Sequence, residues 1–156
     1  MNFSNIPTEM GLLTNLKAFD AKSTPQGVGG ATIPTELANC TSLVSIKASK
    51  ISGSIPTELG RLTNLDTLLL WKGTLTGTLP TEMGQLTKLS FLNLKGNQLE
   101  GTLPSEIGNL QELNTFDIRS NSFIGSIPSD VCMSPSLSIF RDCVIEDCQC
   151  CSNECN

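Results

Sequence analysis

The residues best suited to chemistry are cysteines, and six of the seven in the chain fall within its last 25 residues. Cysteines at that density predict either a disulfide framework, whose pairing the sequence cannot choose, or a zinc site. Only Cys148 and Cys151 have a zinc-type spacing and the chain has no histidine, which favours disulfides and an oxidising compartment. We therefore predict no metal and no cofactor. The six disulfide candidates are Cys132, Cys143, Cys148, Cys150, Cys151 and Cys155.

A catalytic site is not expected, because the chain contains no histidine and no tyrosine. Without histidine, a serine or cysteine triad of the usual kind is unavailable. A formal net charge of −5 argues against nucleic acid as a partner, since phosphate binding needs a cationic face. No apolar run approaches the roughly 20 residues that span a bilayer. The first residues lack the basic and apolar regions of a secretory signal, so a missing natural start stays an open alternative.

An Ile-Pro or Leu-Pro pair recurs along the chain at intervals of 27, 22, 24, 24 and 24 residues. In the fourth unit, Leu92 and Leu94 alternate with the period of a short strand that is buried on one face. The segment Pro-Thr-Glu-Leu-Gly predicts a short helical turn, which proline begins and a left-handed glycine ends. One unit cannot bury its own apolar face, so the units must stack into a solenoid. The prolines are Pro7, Pro34, Pro56, Pro80, Pro104 and Pro128, and the glycines are Gly11, Gly60, Gly84 and Gly108.

The run Leu-x-Gly-x-Ile/Leu-Pro with a 24-residue period resembles the plant-type extracellular leucine-rich repeat over about residues 6–137. The resemblance implies an α/β solenoid, a right-handed superhelix with a concave parallel β-sheet and short helical turns on the convex side. It also implies a non-enzymatic protein, secreted or at the cell surface, that binds a protein, peptide or glycan. The cysteine-rich ending is similar to secreted repeat proteins of stramenopile algae. We predict a repeat domain over residues 1–131 and a cysteine-rich cap over residues 132–156.

In such an architecture, the side chains between and after the strand leucines face the concave side. Seven of the ten basic residues fall there, and a column of glutamates, explained by helix-end electrostatics, falls on the opposite side. The basic residues are Lys22, Lys47, Lys50, Lys72, Lys95, Arg119 and Arg141, and the glutamates are Glu9, Glu36, Glu58, Glu82 and Glu106.

Three large apolar residues, Leu69, Trp71 and Phe91, are also predicted on the concave face, on strands roughly 5 Å apart. The functional interpretation is a site for an acidic peptide or an anionic glycan. The alternative is lysine that only solubilises an open sheet, with its stems covering Trp71. The predicted ligand-binding residues are Lys47, Leu69, Trp71, Lys72, Phe91, Asn93, Lys95, Asp117 and Arg119.

A carboxylate pair is the remaining catalytic alternative, and its spacing excludes it. Asp20 and Asp117 share a column of the predicted sheet but lie roughly 19 Å apart, against the roughly 5 to 9.5 Å of glycoside hydrolysis. We expect Asp117 to pair with Arg141 or Lys95 instead. The repeat spacing also puts Ile139 and Arg141 on the concave face of the last unit.

The N-terminal units depart from the pattern. The slot filled by Asn97 and Asn121 is Gly73 in the third unit and is lost in the shorter second unit. Because asparagine in this slot satisfies backbone groups of a neighbouring turn, we expect weaker protection from amide exchange before Leu75 than after it. An uncovered first unit is also expected to expose core leucines.

Three further features complete the sequence-based predictions. Cys40 stands in a slot that leucine fills elsewhere and is predicted to be a buried small hydrophobe. The sequons Asn2-Phe3-Ser4 and Asn39-Cys40-Thr41 permit N-glycosylation. The remaining alternatives for function are a free secreted binder, an inhibitor of a cell-wall enzyme, a structural cell-coat protein, and a fragment of a receptor-kinase ectodomain that takes part in signal transduction.

Overall fold

The computed structural model describes residues 6–21, 30–133 and 137–142. Within them, the repeats supply strands to two parallel sheets and are linked by 3₁₀ turns, which confirms the predicted solenoid. The large concave sheet has the order β1-β2-β4-β6-β8-β10, and the second sheet has the order β3-β5-β7-β9. The strands are β1 Ala18–Ala21, β2 Ser45–Ser49, β3 Ser52–Gly53, β4 Thr67–Trp71, β5 Thr74–Gly77, β6 Phe91–Asn93, β7 Gln98–Gly101, β8 Thr115–Asp117, β9 Ser122–Phe123 and β10 Ser138–Phe140. The 3₁₀ turns are Thr8–Leu12, Thr35–Asn39, Thr57–Arg61, Thr81–Gln85, Ser105–Asn109 and Ser129–Met133.

Equivalent apolar side chains of successive repeats form one continuous core. The register of the large sheet aligns Ile46, Leu68, Leu92 and Phe116 side by side. None of these four side chains is more than 1% exposed. Because strand neighbours point in opposite directions, the alternate residues of the same strands face the open side of the sheet.

The first repeat is the least covered part of this core. Leu13 is 52% exposed, whereas Cys40, in the same slot of the next repeat, is fully buried. The Cys40 thiol donates a hydrogen bond to the carbonyl oxygen of Met10, at 3.1 Å. Both predictions, of a buried Cys40 and of exposed core leucines at this end, are confirmed.

The glycines of the 3₁₀ turns have a different role from the predicted one. Among the described residues, the left-handed glycines lie elsewhere, so the prediction of a left-handed stop at Gly11, Gly60, Gly84 and Gly108 was wrong. A Cβ on Gly60 would lie 2.5 Å from the carbonyl oxygen of Glu82 in the next turn, and the other three glycines meet the next repeat equally closely. Glycine is therefore required by the close stacking of successive turns.

The last strand is shifted by one residue from the predicted register. In β10, Ser138 pairs with Thr115, Ile139 with Phe116 and Phe140 with Asp117. Ile139 therefore packs against the core, and the prediction that it faces the concave side was wrong. The same shift puts Arg141 beyond the position opposite Asp117, and Phe140 takes that place on the open face.

Two asparagines hold the loops that follow the strands. Asn97 is 8% exposed, and its Nδ2 donates to the carbonyl oxygens of Leu70 and Leu94, at 2.8 Å each. Its Oδ1 accepts a hydrogen bond from the backbone N–H of Leu75, at 3.2 Å. Asn121 repeats the arrangement one unit later, with its Oδ1 3.1 Å from the backbone N of Leu99.

Gly73, the third-unit residue in the asparagine slot, has no room for a side chain. A Cβ there would lie 2.4 Å from the carbonyl oxygen of Ile51 and 2.8 Å from Oδ1 of Asn97. The second unit is two residues shorter than the 24-residue period, so its chain turns back early and places Ile51 against this position. The shortened unit thus explains why the asparagine column stops at Asn97.

Candidate functional site

The open face of the large sheet brings the predicted site residues of neighbouring strands side by side. Lys47 of β2 lies opposite Leu69 of β4, and Leu69 lies opposite Asn93 of β6. Asn93 in turn lies opposite Asp117 of β8. These four residues form one row across the sheet, at the roughly 4.8 Å spacing of paired strands.

The apolar part of this face is centred on β4. Leu69 and Trp71 are half-buried, and Phe91 on the next strand is 46% exposed. Phe91 pairs with Thr67, so along the strand direction it is displaced from Trp71 by four positions, or roughly 13 Å. Leu69 lies between them in the register of the sheet, and we call these three residues the apolar strip.

Lysines border the Trp71 end of this strip, just beyond the ends of the strands. Lys50, Lys72 and Lys95 make no ion pair within residues 6–21, 30–133 and 137–142. The backbone N–H of Lys50 donates to the carbonyl oxygen of Trp71, and that of Lys72 donates to the carbonyl oxygen of Lys95. Consecutive repeats therefore place three uncompensated cations next to one another, while Lys47 lies beside Asp20 of β1.

The loop after each of β2, β4, β6 and β8 passes through one left-handed residue. Lys50, Lys72 and Ser120 have φ of 58°, 52° and 56°, and Gly96 fills the same slot with φ of 71°. A non-glycine residue in this conformation costs roughly 1–2 kcal/mol. The two strained lysines lie at the edge of the apolar strip. Backbone strain of this kind is often found at functional sites.

Arg119 is engaged within the protein. Its Nη2 lies 2.7 Å from Oδ2 of Asp117, and its Nε donates to Oδ1 of the same carboxylate, at 3.0 Å. The guanidinium also stacks over the ring of Phe140, 4.8 Å from its centroid. The hydrogen bond to Asp117 raises the pKa of Arg119 above its usual value. The ion pair on Asp117 is thus with Arg119, and the expected pairing with Arg141 or Lys95 was wrong.

Asp117 itself is only 5% exposed. Its Oδ1 also accepts a hydrogen bond from the backbone N–H of Arg119, just as Oδ1 of Asn93 accepts one from Lys95. These two side chains fold over the ends of β6 and β8, which are two residues shorter than β4. The structure therefore places Asp117 and Arg119 on the predicted face but in mutual contact, and it leaves the lysines available.

Two residues on or near this face were missed by sequence reasoning. Phe140 is 41% exposed on β10, in the place opposite Asp117 that the repeat spacing gives to Arg141. Asp142 accepts hydrogen bonds from the backbone N–H groups of Ser120 and Asn121, at 2.5 and 3.4 Å. In the preceding repeat, the equivalent amides of Gly96 and Asn97 donate to carbonyl oxygens instead. The carboxylate of Asp142 in the last repeat is the sequence signal that could have revealed these two hydrogen bonds.

The opposite side of the solenoid carries the predicted glutamates. Each follows the threonine or serine that begins a 3₁₀ turn, and Asp130 extends the column to the sixth turn. In the described parts of the chain, no group of three or more histidine, cysteine or acidic side chains could hold a metal ion. The same parts contain no helix that is long and apolar enough to cross a membrane.

The cysteines divide into one buried thiol and the C-terminal group. Burial raises the pKa of the Cys40 thiol. Cys132 lies in the last 3₁₀ turn, and Cys143, Cys148, Cys150, Cys151 and Cys155 lie outside the described residues. The disulfide framework therefore stays a prediction, as does the role of Lys22.

Comparisons with known proteins agree with this architecture. The family model for the leucine-rich repeat matches residues 88–110. A plant peptide hormone receptor, RGFR1 in complex with RGF2, is 39% identical with a TM-score of 0.80 over 88% of this chain. The leucine-rich-repeat ectodomain of GASSHO1/SCHENGEN3 from Arabidopsis thaliana, in complex with CASPARIAN STRIP INTEGRITY FACTOR 2, is 30% identical with a TM-score of 0.79 over 88% of this chain. This chain spans only 23% and 17% of those two chains.

A shorter structure is matched over more of its length. The BIR2 ectodomain from Arabidopsis thaliana is 30% identical with a TM-score of 0.65, and the match covers 75% of this chain and 67% of that one. Comparison of the sequence with curated proteins gives no significant match. The stacked repeats, the matched repeat model and the identity to an ectodomain of similar length together show that this chain belongs to the leucine-rich-repeat proteins.

Proposed function

We propose that this chain is a non-enzymatic recognition module, secreted or held at the cell surface, that binds an acidic peptide or acidic protein segment on its concave face. The observation that carries the proposal is the strip of Leu69, Trp71 and Phe91 beside lysines that make no ion pair in the part of the chain that the structure describes. This combination suits a ligand that presents an apolar side chain and carboxylates together.

The distribution of charge supports the same ligand chemistry. The chain has a formal net charge of −5, yet Lys50, Lys72 and Lys95 stand together on one face and the glutamate column stands on the other. Segregated charge steers an acidic ligand toward the concave side and repels it from the convex side. The similarity to a plant peptide hormone receptor in complex with RGF2 supports a peptide as the ligand class.

Trp71 is expected to supply most of the affinity. Its ring is half-buried, so it is held by its neighbours yet keeps surface for a ligand. Truncation of a tryptophan at the centre of an interface typically removes at least about 2 kcal/mol of binding free energy. That loss corresponds to a dissociation constant weaker by about 30-fold.

The single tryptophan also provides the assay, because the chain contains no tyrosine and its emission reports on Trp71 alone. We would titrate the chain with a library of acidic peptides that each contain one phenylalanine and no tryptophan or tyrosine, and with oligogalacturonides as the anionic-glycan probe. Calorimetry would then compare Lys72→Glu with Lys88→Glu, which makes the same charge change on the flank. Among the described residues, Nζ of Lys88 donates a hydrogen bond to Oδ1 of Asn64, at 2.9 Å.

The proposal requires saturable binding of a peptide that Lys72→Glu weakens and Lys88→Glu leaves unchanged. Trp71→Ala should weaken it about 30-fold by the estimate above, while Ile124→Ala, an exposed apolar residue of the flank at 60%, should not. Equal effects of the two lysine variants would mean that the lysines only solubilise the sheet. Binding of oligogalacturonides and of no peptide would replace the peptide by a glycan as the ligand.

A further inference from the structure

The sequon at Asn39 lies in a turn whose geometry presents it to solvent. Asn39 is the last residue of the turn Thr35–Asn39, and both Asn39 and Thr41 are exposed. Cys40 between them is fully buried, with φ of −79° and ψ of 61°. The backbone N–H of Thr41 donates to the carbonyl oxygen of Asn39, at 2.9 Å. These values describe an inverse γ-turn, with its central residue anchored in the core and its two flanking side chains outside.

The side-chain carboxamide of Asn39 is also not engaged in holding the fold. It makes no hydrogen bond to any residue in the described part of the chain. Nearby Asn64, by contrast, donates to the carbonyl oxygen of Thr41 and accepts from Lys88. Modification of Asn39 would therefore break no interaction that holds the fold, and replacing the Thr41 side chain would leave its backbone contact to Asn64 in place.

The surroundings of Asn39 give an attached glycan a physical role. The turn Thr8–Leu12 packs on the turn Thr35–Asn39, so Leu12 occupies the slot equivalent to Asn39 in the neighbouring repeat. Leu12 is 79% exposed and Leu13 is 52% exposed. A bulky, hydrated glycan on Asn39 would stand beside this apolar end of the solenoid, on the side away from the concave face.

We propose that Asn39 is an N-glycosylation site whose glycan shields the apolar surface of Leu12 and Leu13. In the transfer step, the amide nitrogen of Asn39 bonds to the anomeric carbon of an oligosaccharide carried on a lipid pyrophosphate. The bond between that carbon and the pyrophosphate oxygen breaks, the lipid pyrophosphate leaves with the electron pair, and the amide loses one proton. The proposal rests on the secreted or surface location in the proposed function, but it does not depend on any ligand.

The chain offers a matched control in another repeat. Gln85, Leu86 and Thr87 form the same turn, with Leu86 fully buried and the Thr87 N–H 2.9 Å from the carbonyl oxygen of Gln85. Gln85→Asn therefore creates a second sequon of the same geometry by one change. The experiment expresses the parent, Asn39→Gln, Thr41→Ala, Thr41→Ser and Gln85→Asn through the secretory pathway of a eukaryotic host.

Intact mass before and after peptide-N-glycosidase, with peptide mapping, gives the readout. We expect a glycan on Asn39 in the parent and in Thr41→Ser, its loss in Asn39→Gln and Thr41→Ala, and an additional glycan in Gln85→Asn. We also expect a larger aggregated fraction for Asn39→Gln than for the parent. An unmodified Asn39 overturns the proposal, whether or not Gln85→Asn is modified. Ligand binding is measured separately, so an unglycosylated chain that binds acidic peptides would sink this proposal alone.

Discussion

Asn97 offers the most direct test of how the fold positions the proposed site. Its side chain joins the carbonyl oxygens of Leu70 and Leu94 and the backbone N–H of Leu75 through three hydrogen bonds of 2.8, 2.8 and 3.2 Å. Leu70 and Leu94 immediately precede Trp71 and Lys95. Replacement of Asn97 by alanine therefore frees the backbone on which both functional side chains stand.

The size of the effect follows from the burial of these bonds. Each contributes roughly 1 kcal/mol net, so Asn97→Ala should lower the free energy of unfolding by about 3 kcal/mol. The buried carbonyl oxygens and N–H group that lose their partner push the loss upward, and water entering the vacated space pushes it downward. Asn93→Ala is the matched control, because its half-exposed side chain makes one such bond, to the Lys95 N–H at 3.0 Å. We expect it to lose about 1 kcal/mol or less.

Urea unfolding followed by Trp71 emission and by circular dichroism measures both variants. Asn97→Ala should also weaken binding of any peptide that requires Trp71, since the carbonyl of Leu70, just before Trp71, loses its hydrogen bond to Asn97. If the free energies of unfolding of Asn97→Ala and Asn93→Ala differ by less than about 1 kcal/mol, Asn97 does not hold the loops in the way that its hydrogen bonds indicate.

Three further predictions concern stability and dynamics. Amide exchange should be faster before Leu75 than after it, because the side chains of Asn97 and Asn121 hold the loops of the later repeats. Hydrogen–deuterium exchange with peptide resolution measures this, and uniform protection would contradict it. Gly96→Ala should lower the free energy of unfolding by about 1 kcal/mol because of its left-handed φ alone, and Ser120→Gly should raise it. Chemical denaturation measures both, and two neutral changes would refute the claim that these left-handed positions are strained. The raised pKa of Cys40 means that the unfolded chain ionises first, so this thiol's stabilising contribution is present below the ordinary thiol pKa and is lost as the pH rises. Iodoacetamide at pH values near that pKa should label Cys40 only in denaturant, as read by peptide mapping, and labelling of the native chain would count against its burial.

The period of the sequence was enough to predict the columns of the solenoid. Leu68, Leu92 and Phe116 recur 24 residues apart, and a side chain in such a column either meets its equivalents in the core or points the other way. For this reason Trp71 and Phe91 could be placed on the open face without coordinates. The slot of Cys40 was equally readable, since leucine fills it in other repeats.

Features that depend on contacts between repeats could not be read from the period. Gly60 looked like the end of a turn, but what demands glycine is the backbone of Glu82 in the next repeat, and no pattern within one unit contains that distance. The one-residue shift of β10 has the same origin. Pairing of Ile139 with Phe116 outweighs the regular spacing, which would have buried Phe140.

These contacts between repeats also make the two ends of the concave face chemically different. At β8 and β10, Asp117 pairs with Arg119, and the paired guanidinium lies over the ring of Phe140, so this cation is already engaged within the protein. Toward β2 and β4, Lys50 and Lys72 make no ion pair within the described residues. On β6, Asn93 stands in the slot that Asp117 occupies on β8, so Lys95 has an amide beside it where Arg119 has a carboxylate. The residue in the slot of Asp117 thus decides whether the basic side chain two positions later pairs within the protein or stays available to a ligand. We therefore expect an acidic ligand to place its carboxylates near Lys50, Lys72 and Lys95, away from the paired Arg119.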